Sequence, residues 1–490
     1  MEAVLINPKL TINKKDMLTT GIVYMPIGLA YINSKLKKHN ISTLVLDLFS
    51  LNTTKVRSNG NFLEIGEDIE SYFDKFTKKS VFFIYANQII NHDYIIYILK
   101  KIKNKFPNNI FAIIQNSQAV TAYSLQDVKN IFFENGADIL LVGNSEFASL
   151  ELMNRLKNNN EIEKIKNTIT KLNKNIERNI NENIDNIDFP DWIGFNIEQY
   201  WKLKHSHGPL TSKKYLPILT SRGCPYPCKF CVVPKTSNRI WSFRSAGNIV
   251  DEIEECINKY DVKEFHLEDL NPTVNEKMTR ELCNEIIRRN IKIKWKIVSG
   301  TKIESIKSTD TLDLMKESGC SYISISPESG SPKVMRLIDK PFDIKHAIKM
   351  IKHMNKICIK SQACFVLGFP GEESEDINLT KKMIFEMTRS GLDEIAIFII
   401  TPIPGSSIFN KFQGFARLAD LNFSPIWRKD YKKLNSIRLK FYLYFIILKL
   451  FNFPIKFIKQ IYNFFTLRFE TKMEMVPYKF LKWYFLKLKS

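Results

Sequence analysis

No cysteine occurs before Cys224 in this chain of 490 residues, and only eight occur in all. A disulfide framework is excluded, and the thiols are read instead as metal ligands, nucleophiles or small core residues. The opening stretch MEAVLINPKL lacks the basic start, apolar run and small-residue cleavage site of a secretory signal, so a cytoplasmic protein with reduced thiols is expected. Internal repeats are absent. The longest uncharged run of the apolar C-terminal part, Phe441 to Leu448, is far below the roughly 20 residues that cross a bilayer. Hydrophobic residues make up 44% and charged residues 25%, which excludes a fibrous or wholly solvated chain. The length exceeds what one core usually holds, so two or three domains are expected.

Acidic residues are also short at one end. The net charge is +21, and from Ile426 to Ser490 there are 15 Lys and Arg against 3 Asp and Glu, whereas the rest of the chain carries 57 against 48. This imbalance asks for an anionic partner at the C-terminus, a membrane surface or a nucleic acid. With no recognisable RNA-binding module, nucleic acid is the less favoured of the two.

Residues 1–156 alternate short apolar runs (AVLIN, STLVLDL, SVFFIYA, NIFAIIQ, DILLVG) with amphipathic stretches. This predicts five parallel strands covered by helices on both faces, a doubly wound α/β domain. Residues 157–214 are rich in Asn, Lys and Ile, close with DFPDW, and are expected to form a connector that partly wraps a neighbour. Across residues 215–425 six further strand-helix units follow in order, which suits a partial parallel barrel of the TIM type with its site at the C-terminal strand ends. Residues 426–490 are expected to form a basic, amphipathic helical region.

The strongest chemical signal is Gly223-Cys-Pro-Tyr-Pro-Cys-Lys-Phe-Cys231, in the loop after the first barrel strand. Three thiolates, Cys224, Cys228 and Cys231, suit three irons of a 4Fe-4S cluster and leave the fourth iron open. A structural zinc site would want a fourth ligand, and neither Cys nor His lies near in sequence. The remaining cysteines, Cys256, Cys283, Cys320, Cys358 and Cys364, stand in apolar contexts and are expected to be buried.

This loop, with Phe230 before its last Cys and a barrel pattern around it, resembles the radical S-adenosylmethionine superfamily from about Leu216 to Phe412. The resemblance implies that the open iron chelates S-adenosylmethionine and that one electron cleaves it to methionine and a 5'-deoxyadenosyl radical. An electron donor such as flavodoxin or ferredoxin is implied. So are polar contacts to the methionyl amine from Leu267-Glu268-Asp269, ribose contacts from Glu328 and Ser329, and adenine contacts from Gly368-Phe-Pro-Gly371. Asn271 stands where relatives often carry Phe.

The first domain resembles the cobalamin-binding domain of the cobalamin-dependent class. Pro26-Ile-Gly28-Leu-Ala-Tyr-Ile32, Leu44-Val-Leu-Asp47 and Gly136-Ala-Asp-Ile-Leu-Leu-Val-Gly143 with Glu146 carry the likeness. It implies cobalamin beside Gly28 and Gly143. There is no Asp-x-His-x-x-Gly segment to offer cobalt a lower His ligand. Gln115-Asn116-Ser117-Gln118 replaces the Gly-Gly-x-His of relatives, and His92 is expected at the surface without a role. Methylation of an unactivated carbon on a small-molecule or lipid-like substrate is the implied reaction. Ring closure or oxidation without methyl transfer is one alternative. Methylthiolation of transfer RNA is another, against which stands the lack of any Cys for a second cluster in the first domain.

The last region admits two readings. Arg438 and Lys449 share one helical face while Lys440 lies opposite and Pro454 breaks the helix, so the stretch can lie in the plane of an anionic inner-membrane surface. Alternatively its helices pack on the barrel with Lys stems reaching water.

Overall fold

The computed structural model describes residues 1–116, 122–177 and 183–488. Five parallel strands build the first sheet: β1 (Glu2–Asn7), β2 (Thr43–Asp47), β3 (Ser80–Ala86), β4 (Ile110–Gln115) and β5 (Ile139–Leu141). A sixth, β6 (Thr168–Thr170), joins antiparallel at the edge, giving the order β2-β1-β3-β4-β5-β6. The 157–214 connector therefore completes this sheet as well as leading out of it. The alternation of side chains explains the two-sided burial. Val81, Phe83 and Tyr85 enter one core while Phe82, Ile84 and Ala86 enter the other, as a strand covered on both faces requires.

In this strand order the chain reverses direction between β1 and β3, which is where an open parallel sheet leaves a crevice at its carboxyl edge. Two helices flank it on one side, α1 (Ile27–Lys38) and α2 (Ser145–Lys157). A small antiparallel sheet of Leu10–Asn13, Val56–Asn59 and Phe62–Ile65 is added beside it.

The second sheet is wholly parallel and in chain order: β7 (Leu216–Ile218), β8 (Glu264–Leu267), β9 (Lys294–Thr301), β10 (Cys320–Glu328), β11 (Lys360–Leu367) and β12 (Glu394–Ile399). This is the six-stranded partial barrel. Trp192, Phe195 and Tyr200 of the connector are buried in a core continuous with both sheets, so the connector binds the two domains by apolar burial. Among the other cysteines Cys256, Cys283 and Cys320 are buried as expected, but Cys364 is half-buried and Cys358 is exposed. It sits at φ +59 in the turn that ends a helix, where the chain bends out to water.

Three helices end the chain, α3 (Tyr431–Asn452), α4 (Pro454–Thr466) and α5 (Lys472–Leu488). The face of α3 carrying Arg438 and Lys449 points inward: Arg438 pairs with Asp16 at 3.2 Å and the Lys449 ammonium donates to the Asp393 carbonyl. The cations satisfy buried acceptors on a face that also buries Leu434, Phe441 and Phe445, while Leu439, Leu443 and Ile447 face solvent. Helix α5 returns to the first domain, where Trp483 is buried and its indole donates to the Gly21 carbonyl (3.3 Å). Among the described residues no single helix is long and apolar enough to cross a membrane; α3 and α4 qualify only jointly, and they meet at 116°.

Candidate active site

The cysteine loop is closed at its base. Ser221–Gly223 pairs antiparallel with Trp241–Phe243, and Gly223 adopts φ +77 where a Cβ would stand 2.1 Å from the Ile240 carbonyl oxygen. Only glycine fits this crossing. Below it, the buried Asp269 carboxylate accepts from the Thr220 amide (3.0 Å), the Ser221 amide and both hydroxyls. Asp269 thus anchors the first turn of the loop. Further along, the Cys231 amide donates to the Cys228 carbonyl (3.1 Å), the Lys229 amide to the Ile338 carbonyl (3.0 Å), and the Val233 amide to the Cys231 sulfur (3.4 Å).

The three thiols are near enough to act on one another electrostatically. Burial raises all three above the ordinary thiol value, Cys231 up to about 12, while the Lys340 ammonium opposes the rise. Burial alone would lower Lys340, yet Glu328 and the thiols hold it above its usual value, with Nζ 2.5 Å from Glu328 Oε1. The Asn271 side chain, which accepts from the Thr301 hydroxyl (2.7 Å), also opposes the rise at Cys224. Among the described residues no three thiol, imidazole or carboxylate groups converge on a point that would grip a single ion. Three thiols on one loop, with no carboxylate or imidazole in the cysteine motif, are the soft donor set of a cluster held by three thiolates.

Other strand ends frame the same opening. Glu328 closes β10 at φ +61, an uncommon conformation for a residue with a Cβ. Ser329 is buried with its hydroxyl 3.2 Å from that of Thr380, and a Cβ on Gly330 would lie 2.4 Å from the Leu379 carbonyl oxygen. The turn is therefore pinned to the helix Ser374–Arg389. After β11, Gly368 (φ +84) and Gly371 (φ +85) shape the next turn. The Gly368 amide donates to Glu372 (2.5 Å) and its carbonyl accepts from Arg428 (3.1 Å). The Phe230 ring lies 5.6 Å from that of Phe369.

Glu268 takes a different direction from its neighbour Asp269. Its Oε2 lies 2.7 Å from His207 Nδ1 and accepts from the Ser299 hydroxyl (3.3 Å). Burial would raise this carboxyl, but His207 holds it below the usual carboxylate value. His207 itself is lowered by burial, with Glu268 opposing. The Tyr24 ring of the first domain lies 4.6 Å from that of His207, tilted by 39°. Neither His207, one of two His in the connector, nor Lys340, one Lys among many, carries a sequence signal.

The first domain meets the loop through Arg222, which donates from both terminal nitrogens to Glu146 (2.6 and 3.0 Å) and from one to Asn144 (3.0 Å). The Ser124 amide donates to the Pro404 carbonyl (3.3 Å). At the β1/β3 crevice lies an amide-rich network. Asn7 donates to Asp47 (2.8 Å), Asn87 to Asn7 (3.1 Å), Asn91 to Asn87 (2.8 Å) and Asn116 to the Asn87 carbonyl (2.8 Å). Ser117 and Gln118 lie outside the described residues. Two buried acceptors near this junction, Asn91 Oδ1 and Ser406 Oγ, have no hydrogen-bond partner among the described residues, and a macrocycle rimmed with carboxamides would satisfy such groups. Gly28 and Gly143 turn toward the chain itself: a Cβ would meet the Tyr85 hydroxyl at 3.0 Å and Asn167 at 2.8 Å, respectively. His92, expected at the surface, is buried against Tyr123 (3.0 Å), and burial lowers it to about 4.

Comparison with known proteins agrees with this geometry. Residues 218–384 match the model of the radical SAM superfamily. Cytidylyl-2-hydroxyethylphosphonate methyltransferase of Streptomyces wedmorensis is 25% identical over 472 residues, covering 88% of this chain and 85% of that protein. An uncharacterized methyltransferase of Pyrococcus horikoshii is 24% identical, covering 85% and 83%. The fold is shared with the radical S-adenosylmethionine methyltransferase TsrM of Kitasatospora setae, solved with cobalamin and a 4Fe-4S cluster. There the TM-score is 0.63 at 14% identity, covering 84% of this chain and 78% of that one.

Proposed function

We propose that this chain, a radical S-adenosylmethionine enzyme by its residues 218–384, uses cobalamin to methylate an unactivated carbon of a small-molecule or lipid-like substrate. The observation that carries the reading is the clasp of Arg222, one residue before the Gly223-Cys224 turn, onto Glu146 of the first domain. It sets a cluster-binding loop against the carboxyl edge of a doubly wound sheet. Methyltransferase relatives along nearly the whole chain support the same assignment.

In this reading Cys224, Cys228 and Cys231 hold the cluster, and Lys340 offsets part of its negative charge. Glu328, Ser329, Gly368 and Gly371 line the S-adenosylmethionine side, with Phe230 beside them. Glu268 faces the barrel interior with His207, where it can hold a polar group of cofactor or substrate. Asn7, Asn87, Asn91 and the stretch after Gly28 and Gly143 form the floor for cobalamin. The bound groups supply reductive cleavage and methyl transfer, while the protein fixes their orientation and keeps water from the junction. Electrons come from a small donor protein such as flavodoxin or ferredoxin. The enzyme works in the cytoplasm, with a peripheral membrane association through its C-terminal helices.

Anaerobic reconstitution with iron, sulfide and hydroxocobalamin tests this. Retention of about four irons and near-stoichiometric cobalt, with reductive release of 5'-deoxyadenosine that Cys228→Ala abolishes, is the expected result. Undiminished cleavage in Cys228→Ala, or a full cluster with no retained cobalt, would overturn it.

A further inference from the structure

We infer that the outward faces of α3 and α4 form a docking surface for an anionic lipid bilayer, lying in its plane. The inference rests on the surface alone and is independent of the reaction proposed above. On α3 the inward side is spent on the barrel: Phe441 and Phe445 are buried, and the Tyr442 hydroxyl accepts from the Ile397 amide (2.9 Å). Its outward side carries Leu439, Leu443 and Ile447, four residues apart and all exposed. The stripe continues past Pro454 onto α4, where Ile455 is 82% and Phe465 76% exposed and Asn463 is the only buried residue. A stripe of this extent is unusual on a soluble monomer and marks an interaction surface.

Charge selects the occupant. From Tyr431 to Phe469 there are eight Lys and Arg and no Asp or Glu. Four of the eight are paired within the chain: Arg438 with Asp16, Lys449 with the Asp393 carbonyl, Lys456 with the Asp393 carboxylate and Lys459 with Glu470. Lys432, Lys433, Lys440 and Arg468 are exposed beside the apolar stripe. A second copy of the chain would set two strongly basic faces against each other. An anionic headgroup layer neutralises these cations while the acyl boundary takes the Ile and Phe side chains. The bend of 116° between α3 and α4 suits two helices lying along an interface better than a straight span.

The test is co-sedimentation of the full-length holoenzyme with vesicles of phosphatidylcholine alone and of phosphatidylcholine mixed with phosphatidylglycerol. Binding to the mixed vesicles only, weakening as salt rises, is expected. Ile455→Glu with Ile458→Glu should lower the partition coefficient at least about tenfold, the scale of one buried apolar side chain. Because both side chains are exposed, circular dichroism and S-adenosylmethionine cleavage should be unchanged in that variant. A tryptophan placed by Ile458→Trp should shift its emission to the blue on mixed vesicles. Absence of binding at low salt would overturn the inference, as would full binding by the double-Glu variant. A lipid-free dimer broken by the same substitutions would instead make the face a protein interface and also overturn it.

Discussion

Arg222 and Glu146 form a forked ion pair, 2.6 and 3.0 Å, between the cysteine loop of the barrel and helix α2 of the first domain. Both side chains are largely buried, and although burial alone would lower Arg222, the Glu146 carboxylate holds it above its ordinary value. Removing one partner of a buried pair leaves an uncompensated charge. Glu146→Ala is therefore expected to cost about 3 kcal/mol in chemical denaturation. Pairing it with Arg222→Met should recover most of that loss, since the stranded cation is gone.

The apo thiols give a pH dependence to cluster assembly. Burial raises Cys224, Cys228 and Cys231 above the ordinary thiol value, so at neutral pH each must release a proton before it can bind iron. Proton release means that affinity rises with pH. Iron and sulfide bound per chain at limiting supply should increase from pH 7 to pH 9. Lys340→Met, which removes the cation opposing this rise, should weaken assembly further at every pH and lower the reduction potential of the cluster.

His207 and Glu268 are coupled, and the sign of their contribution follows. Glu268 is held below the usual carboxylate value, so its share of stability is present above that value and lost as pH falls through the folded one. His207 is lowered by burial, which likewise favours the fold at higher pH. In His207→Ala the buried carboxylate loses its partner at a cost of about 2 kcal/mol. The difference in unfolding free energy between the two proteins should be large at pH 8 and shrink toward pH 4. A pH-independent difference would mean that the loss is one of packing alone.

The cluster loop and the two parallel sheets were legible because their signals are local. Three thiols in nine residues need no tertiary information, and runs apolar on both faces demand covered strands. What escaped were relationships across the chain. Lys340 follows Cys231 by more than a hundred residues and reaches the thiols only through the turn after β10. His207 lies in a connector without periodicity and acquires a partner only when the barrel forms. The orientation of α3 was hidden for a related reason. Arg438 and Lys449 mark a polar face on a helical wheel, yet Asp16 and the Asp393 carbonyl, distant in sequence, draw that face inward.

Asp47 offers a final test at the crevice of the first sheet. Burial raises its carboxyl to about 6 despite hydrogen bonds from Tyr200, Asn7 and Ser50. A carboxyl raised in the folded state binds more protons there than in the unfolded chain, so stability falls as pH rises from about 4 to about 6, by roughly 3 kcal/mol in all. Asp47→Asn keeps an acceptor for Asn7 and leaves Tyr200 a partner, but it cannot ionise. The variant should match the parent below pH 4 and exceed it in unfolding free energy above pH 6. Because Asn7 joins Asp47 to Asn87, the same substitution tests whether the amide floor depends on this charge: retained cobalt should be unchanged where the network is held by hydrogen bonds and should fall where it is held by the carboxylate.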